Sequence, residues 1–136
     1  MRLFFDANTL FTAAHNPKGK AALVIELGGA GYWTLCTSAY AIEEARRNLE
    51  AKFPDALPML TRQLAHFETG HESRSHACPA GLPRKDCPIY LAALGCRATH
   101  LLTVDLRDFG PLMNQPEKTD GMLIQTVSQF LERLDR

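Results

Sequence analysis

The chain has 136 residues, 46% hydrophobic and 22% charged, and its 15 basic and 15 acidic residues cancel. That length suits one domain, residues 1–136, whose core needs no cross-links, and the balance leaves no global charge to draw nucleic acid or an anionic membrane. No apolar run nears the roughly 18 residues of a membrane span, and the start lacks the pattern of a signal peptide; the expectation is a cytoplasmic protein with no membrane contact.

Residues 2–5 form a short apolar strand stopped by Asp6. Helices are expected over residues 8–14 and 18–27, the second ended by Gly28 and Gly29. The aromatic and β-branched stretch 32–37 reads as a strand. Ser38 caps a helix that runs to about Phe53, where Pro54 stops it. Residues 55–68 read as another helix closed by Gly70, and 71–83 as a polar, proline-containing loop with at most a weak edge strand. A helix over 86–96 tolerates Pro88 in its first turn. Strands at 100–104 and 122–126 follow, and Ser128 caps a last helix to Leu134. Strands separated by helices require crossovers, hence an α/β fold: three layers, α/β/α, around a central parallel sheet of about five strands.

The cysteines, Cys36, Cys78, Cys87 and Cys96, contain no C-x-x-C pair, and free thiols are expected. A zinc site from His71, His76, Cys78 and Cys87 is the weaker alternative, because its spacing fits no common structural pattern.

Chemistry enters at the strand ends. Asp6 closes the first strand, and Asp105 follows the strand at 100–104. In open parallel sheets, sites form outside the carboxyl ends of the strands. Carboxylates gathered there repel one another, and a hard divalent cation such as Mg²⁺ or Mn²⁺ relieves the repulsion.

Three stretches, FFDANTL, TSAYAIEEARRNL and KDCPIYLAALGCRATHLLTVDLRDF, together resemble the PIN domain, the metal-dependent ribonuclease fold of VapC-type toxins and RNA-processing nucleases. They span most of the chain in the family's order; residues 55–83 match only in helical character. The resemblance implies a sheet order 3-2-1-4-5 and hydrolysis of RNA phosphodiester bonds. It assigns catalytic roles to Asp6, Glu44, Asp86 and Asp105. Metal ligation falls to Asp6, Asp86 and Asp105, with Asp108 as a more variable acid. Asn8 is the polar companion of Asp6, and Thr103 the hydroxyl that orients a water. Glu43 and Glu44 flank the apolar stripe of their helix at similar angles, so Glu44 rests on the resemblance alone. The resemblance also implies a homodimer through residues 8–27 and 38–68 and, for a toxin, a small antitoxin protein as partner. Ala22, Leu23, Val24, Ile25 and Leu27 are apolar enough for such an interface, with burial in their own domain as the competing explanation.

Substrate grip must come from cations near these motifs: Arg47, Arg84 and Lys85, with Lys18, Lys20 and Arg46 as further candidates. Each acid also has a structural reading, Asp86 above all as a helix cap. A phosphotransfer domain of receiver type needs an adjacent acidic pair near the start, and a dehalogenase-type phosphatase needs an aspartate where Asn8 stands. The stronger rival is a PIN-like module that binds RNA or protein with little or no turnover.

Overall fold

Leu3, Phe4 and Phe5 offer no polar side to water, so they need cover on both faces. In the computed structural model, which describes residues 1–104 and 106–134, they lie in the central strand of a five-stranded sheet. The strands are β1 (Arg2–Phe5), β2 (Thr34–Ser38), β3 (Phe67–Gly70), β4 (His100–Thr103) and β5 (Leu123–Thr126). All pair in parallel, in the order β3-β2-β1-β4-β5. Phe4 sits opposite Cys36 on one side and Leu101 on the other. These residues are fully buried, as a doubly covered sheet requires.

The helices are α1 (Ala7–His15), α2 (Lys20–Gly29), α3 (Ala39–Lys52), α4 (Leu57–Leu64), α5 (Cys87–Gly95), α6 (Leu106–Phe109) and α7 (Val127–Leu134). The steps from β1 to β2 and from β2 to β3 go the same way, so right-handed crossovers put α1 to α4 on one face. There α1 packs on α2, α3 and α4. The return from β3 to β4 runs the other way and carries α5 to the opposite face, completing the expected α/β/α layers.

Several local expectations shift. The helix expected over 55–68 divides into a 3₁₀ turn (Pro54–Ala56), α4 and the edge strand β3. Phe67 packs edge-to-face on Phe5, ring centres 5.2 Å apart, and pairing with β2 satisfies a backbone that would otherwise have continued the helix. The weak edge strand sought in 71–83 therefore lies upstream, and 71–83 is irregular. Gly28 and Gly29 belong to the last turn of α2 rather than ending it. β2 starts late because Trp33 turns its indole N–H to the Val24 carbonyl, 3.0 Å away. The cap of α7 is Thr126, not Ser128. Thr126 Oγ1 accepts from Gln129 N and Gln129 Oε1 accepts from Thr126 N, both at 3.0 Å, a reciprocal capping box.

The cysteine expectation is corrected for one pair. Cys78 and Cys87 are joined in a disulfide, while Cys36 and Cys96 are free and buried. The chain folds Cys78 back beside the first turn of α5, a proximity that spacing does not reveal. With those two sulfurs bonded to each other, the zinc alternative falls too. Of the apolar residues in α2, Ala22, Val24 and Ile25 are buried inside the domain, leaving Leu23 exposed. Burial thus explains most of that stripe. Among the described residues no helix is long and apolar enough to cross a membrane.

Candidate functional site

On leaving the central strand β1 the chain builds the sheet first to one side, through β2 and β3, and then to the other, through β4 and β5. The crevice of such a sheet opens at this reversal, above the carboxyl ends of β1 and β4. Asp6 stands there. It follows Phe5 directly, with extended backbone, and is the N-cap of α1. Its Oδ1 accepts the Thr9 N–H at 2.8 Å and lies 2.7 Å from Thr9 Oγ1. That hydroxyl also lies 3.0 Å from the Leu102 carbonyl of β4. One proton is shared between two acceptors, so Thr9 ties Asp6 to the neighbouring strand. Asp6 is 5% exposed and Thr9 fully buried.

Glu44 arrives on α3, which begins where β2 ends; Ser38 Oγ accepts the Ala41 N–H at 3.2 Å. Ala41, Ala45 and Leu49 face the core and fix the helix's rotation. Glu43 is thereby turned outward, 3.1 Å from Arg46 and 3.9 Å from Arg47, while Glu44 turns toward Asp6 and lines the same cavity. Asp86 closes a 3₁₀ turn (Arg84–Asp86) and occupies the N-cap position of α5, but makes no capping hydrogen bond. Pro88, in the first turn, has no N–H to offer. Capping does not account for Asp86.

Asp6, Asn8, Glu44, Lys85 and Asp86 form the polar walls of a cavity of about 60 Å³, and Ala7, Ile89 and Phe109 its apolar part. Ile89 and Phe109 are almost wholly buried, which keeps the local dielectric low and strengthens the repulsion among the three carboxylates. Lys85 is the cation set against it. The donors are all oxygen, the type that Mg²⁺ and Mn²⁺ take. Among the described residues, however, no three His, Cys, Asp or Glu stand as a group that could hold a metal ion. Asp6, Glu44 and Asp86 nevertheless share one cavity.

None of the other candidates among the described residues lines this cavity. Thr103 ends β4, fully buried and paired with Thr126. Arg84 is exposed one residue outside the cavity, and Arg47 is exposed beside Glu43. Lys18 and Lys20 border a separate groove with Leu23, and Lys20 Nζ reaches Ser128. Asp105 and the side chain of Asp108 lie outside the described residues. Sequence reasoning missed Thr9 and Phe109. Thr9 could have been suspected as the N3 residue after an aspartate cap, whereas nothing local marks Phe109.

The fold is PIN-like: a parallel sheet of order 3-2-1-4-5 between helical layers. Among solved structures, a chain in the crystal structure of VapBC2 from Rickettsia felis bound to a DNA fragment from their promoter is similar to it, with a TM-score of 0.64 at 14% identity. The similarity covers 93% of this chain and 98% of that one, and at such identity it is a likeness of fold. No family model and no curated protein matches the chain.

Proposed function

We propose that this chain is a Mg²⁺- or Mn²⁺-dependent endoribonuclease that hydrolyses RNA phosphodiester bonds at the acid cavity, as the toxin partner of a small antitoxin protein. The observation that carries this is convergence. Asp6 with Asn8, Glu44, and Asp86 with Lys85 come from three separate stretches and meet on one cavity at the reversal of strand order. The likeness to a VapBC2 chain supports the toxin and antitoxin part.

A water needs about 10–15 Å³ of such space, so a cavity of about 60 Å³ has room for a hydrated ion. Mg²⁺ keeps several of its waters, which suits carboxylates that share a cavity without forming a tight group. Asp6, Asp86 and Asp105 would hold the ion, with Glu44 and Asp108 acting directly or through water. When bound, the cation would offset the negative charge of the cavity and acidify a water for in-line attack on phosphorus. Glu44 would orient that water and receive its proton, and the Asn8 amide would align it. Lys85 draws the phosphate in, while Arg84 and Arg47 hold the flanking backbone by charge. Ile89 and Phe109 exclude bulk water. The products carry 5′-phosphate and 3′-hydroxyl ends, and the protein acts as a cytoplasmic homodimer.

The second reading is a PIN-like module that binds RNA or protein without turnover. Cleavage of single-stranded RNA with Mn²⁺, in wild type and Asp6→Asn, separates the two. Wild type should cut, and the variant should lose on the order of a hundredfold in rate or more, since one carboxylate at the metal is worth several kcal/mol in the transition state. Mn²⁺ at a hundredfold excess over its Kd should also stabilise wild type by about 2.7 kcal/mol, and Asp6→Asn much less. RNA retained without cleavage by wild type would favour the binding module. Equal activity in the two proteins would remove Asp6 from the site.

A further inference from the structure

We propose that Cys36 and Cys96 form a two-thiolate site for one soft monovalent cation of the Cu(I) class, loaded through a cavity that Cys96 lines. That cavity shares no lining residue with the acid cavity, and the proposal does not rest on the nuclease reading. Cys78 and Cys87, already joined to each other, offer no thiolate.

Two distant elements bring the sulfurs together. Cys36 lies in the middle of β2, opposite Phe4 on one side and Glu68 on the other, and is fully buried. Cys96 is the C-cap of α5 and is 6% exposed. Its Sγ stands 3.8 Å from the carbonyl of Thr37, the neighbour of Cys36, and so close over Gly70 that an added Cβ there would overlap it. From that position its S–H also donates to the Cys36 sulfur. A buried free cysteine is commonly no more than a small apolar side chain, and its surroundings mark the reactive case. Here they include a cation and a way in. Arg2 Nε donates to the Cys96 carbonyl at 2.8 Å, and its guanidinium lies 3.1 Å from Glu68, which pins the charge beside both thiols. A cavity of about 420 Å³, walled in part by Arg2, Glu68, Cys96 and Arg97, brings solvent to Cys96 and through it to Cys36.

The Cys96 S–H holds the Cys36 thiol below its ordinary 9.0; burial opposes this and the Arg2 charge assists it. The same bond pushes the Cys96 thiol up. Once Cys36 has ionised, the two sulfurs share one proton and one negative charge beside Arg2. Cu⁺ replaces that proton, forming two S–Cu bonds and releasing H⁺, and the net charge of the buried pair stays the same. Soft thiolates select Cu(I), which is satisfied by two of them. Structural Zn²⁺ takes four ligands and hard cations take oxygen, and among the described residues no third His, Cys, Asp or Glu completes a group. A disulfide needs its sulfurs about 2.05 Å apart, far closer than hydrogen-bonded thiols stand, whereas a cation between them asks for little movement.

The test titrates the full chain, without oxygen, with Cu(I) kept reduced by ascorbate and held by bicinchoninate as the competing chelator. Wild type should withdraw one Cu(I) per chain, and X-ray absorption of the complex should show two sulfur neighbours. Cys36→Ala and Cys96→Ala should each bind roughly a hundredfold more weakly, since each removes half of the ligand set. Cys78→Ser/Cys87→Ser should bind as wild type does. Ag⁺, which needs no reductant, should slow iodoacetamide labelling of Cys96 about tenfold in wild type and not in Cys36→Ala. Urea midpoints report whether each variant is folded, and if Cys36→Ala is not, Cys96→Ala and the labelling of wild type decide. No Cu(I) withdrawn by wild type overturns the proposal. So does uptake undiminished in the folded single variants, uptake lost in Cys78→Ser/Cys87→Ser, or a Cys36–Cys96 disulfide formed in place of the complex.

Discussion

The Thr9 hydroxyl lies between two buried acceptors, Asp6 Oδ1 at 2.7 Å and the Leu102 carbonyl at 3.0 Å. Thr9→Val keeps the side-chain volume and removes the hydroxyl; Asp6 Oδ1 keeps the Thr9 N–H and the Leu102 carbonyl the Asp6 N–H, but the buried bridge between them is lost, at a cost of about 1 kcal/mol. The variant should unfold at lower urea and need more Mn²⁺ for half-maximal RNA cleavage, whereas Thr9→Ser should resemble wild type in both. A valine variant with the wild-type Mn²⁺ requirement would mean that the hydroxyl does not position Asp6. Asp6 itself is legible in the sequence, because a carboxylate ending an apolar run at a sheet edge needs a reason. The Leu102 contact is not legible, since its partner lies far along the chain and hydrophobic periodicity does not report it.

Gly95, in the last turn of α5, shows how one element constrains another. In a solvated helix Gly→Ala typically gains about 1 kcal/mol. Here an added Cβ would overlap the His71 carbonyl oxygen, with Ser73 N only 3.1 Å away. The chain leaving β3 runs so close to α5 that backbone, not a flexible side chain, would have to yield. Gly95→Ala should therefore destabilise, by about 1–3 kcal/mol as overpacking does. Urea denaturation measures it, and a more stable variant would mean that residues 71–73 move aside freely. The same crowding accompanies the strand that sequence reasoning read as helix. Phe67–Gly70 has no strong strand signature of its own and becomes β3 because β2 presents an open edge.

For the whole molecule, a formal charge of zero leaves stability against pH to groups whose surroundings differ from water. His100 is one. Burial, then the N-terminal ammonium and Arg133, hold its imidazole below the usual 6.5. It packs edge-to-face on Phe130, with Nδ1 2.8 Å from Thr99 Oγ1. Below about pH 6.5 the unfolded chain binds a proton that the native state resists, so this contribution is complete above pH 6.5 and erodes as pH falls toward the lowered folded value. His100→Phe keeps a ring on Phe130 and removes the titration. Urea midpoints from pH 7.5 to 5.5 should fall less steeply in the variant; parallel slopes would contradict the assignment.

Apolar runs between capped helices are local facts, and they were enough to define an α/β/α sheet, with its 3-2-1-4-5 order implied by the resemblance. Asp6 could be named from its place at the end of an apolar strand, whereas Asn8, Glu44 and Asp86 were named from the resemblance. Periodicity left Glu43 and Glu44 open; the rotation of α3 on its buried Ala41, Ala45 and Leu49, which packing sets and composition does not, is what turns Glu44 to the cavity. The cavity floor at Phe109, the shared proton of Thr9, the edge strand β3 and the Cys78–Cys87 bond were decided by the tertiary structure alone. Each depends on a contact made only when distant segments, or the two arms of an irregular loop, are brought together. Local propensity acts over a few residues, whereas these contacts are selected by the closed volume of the core and the order of its strands.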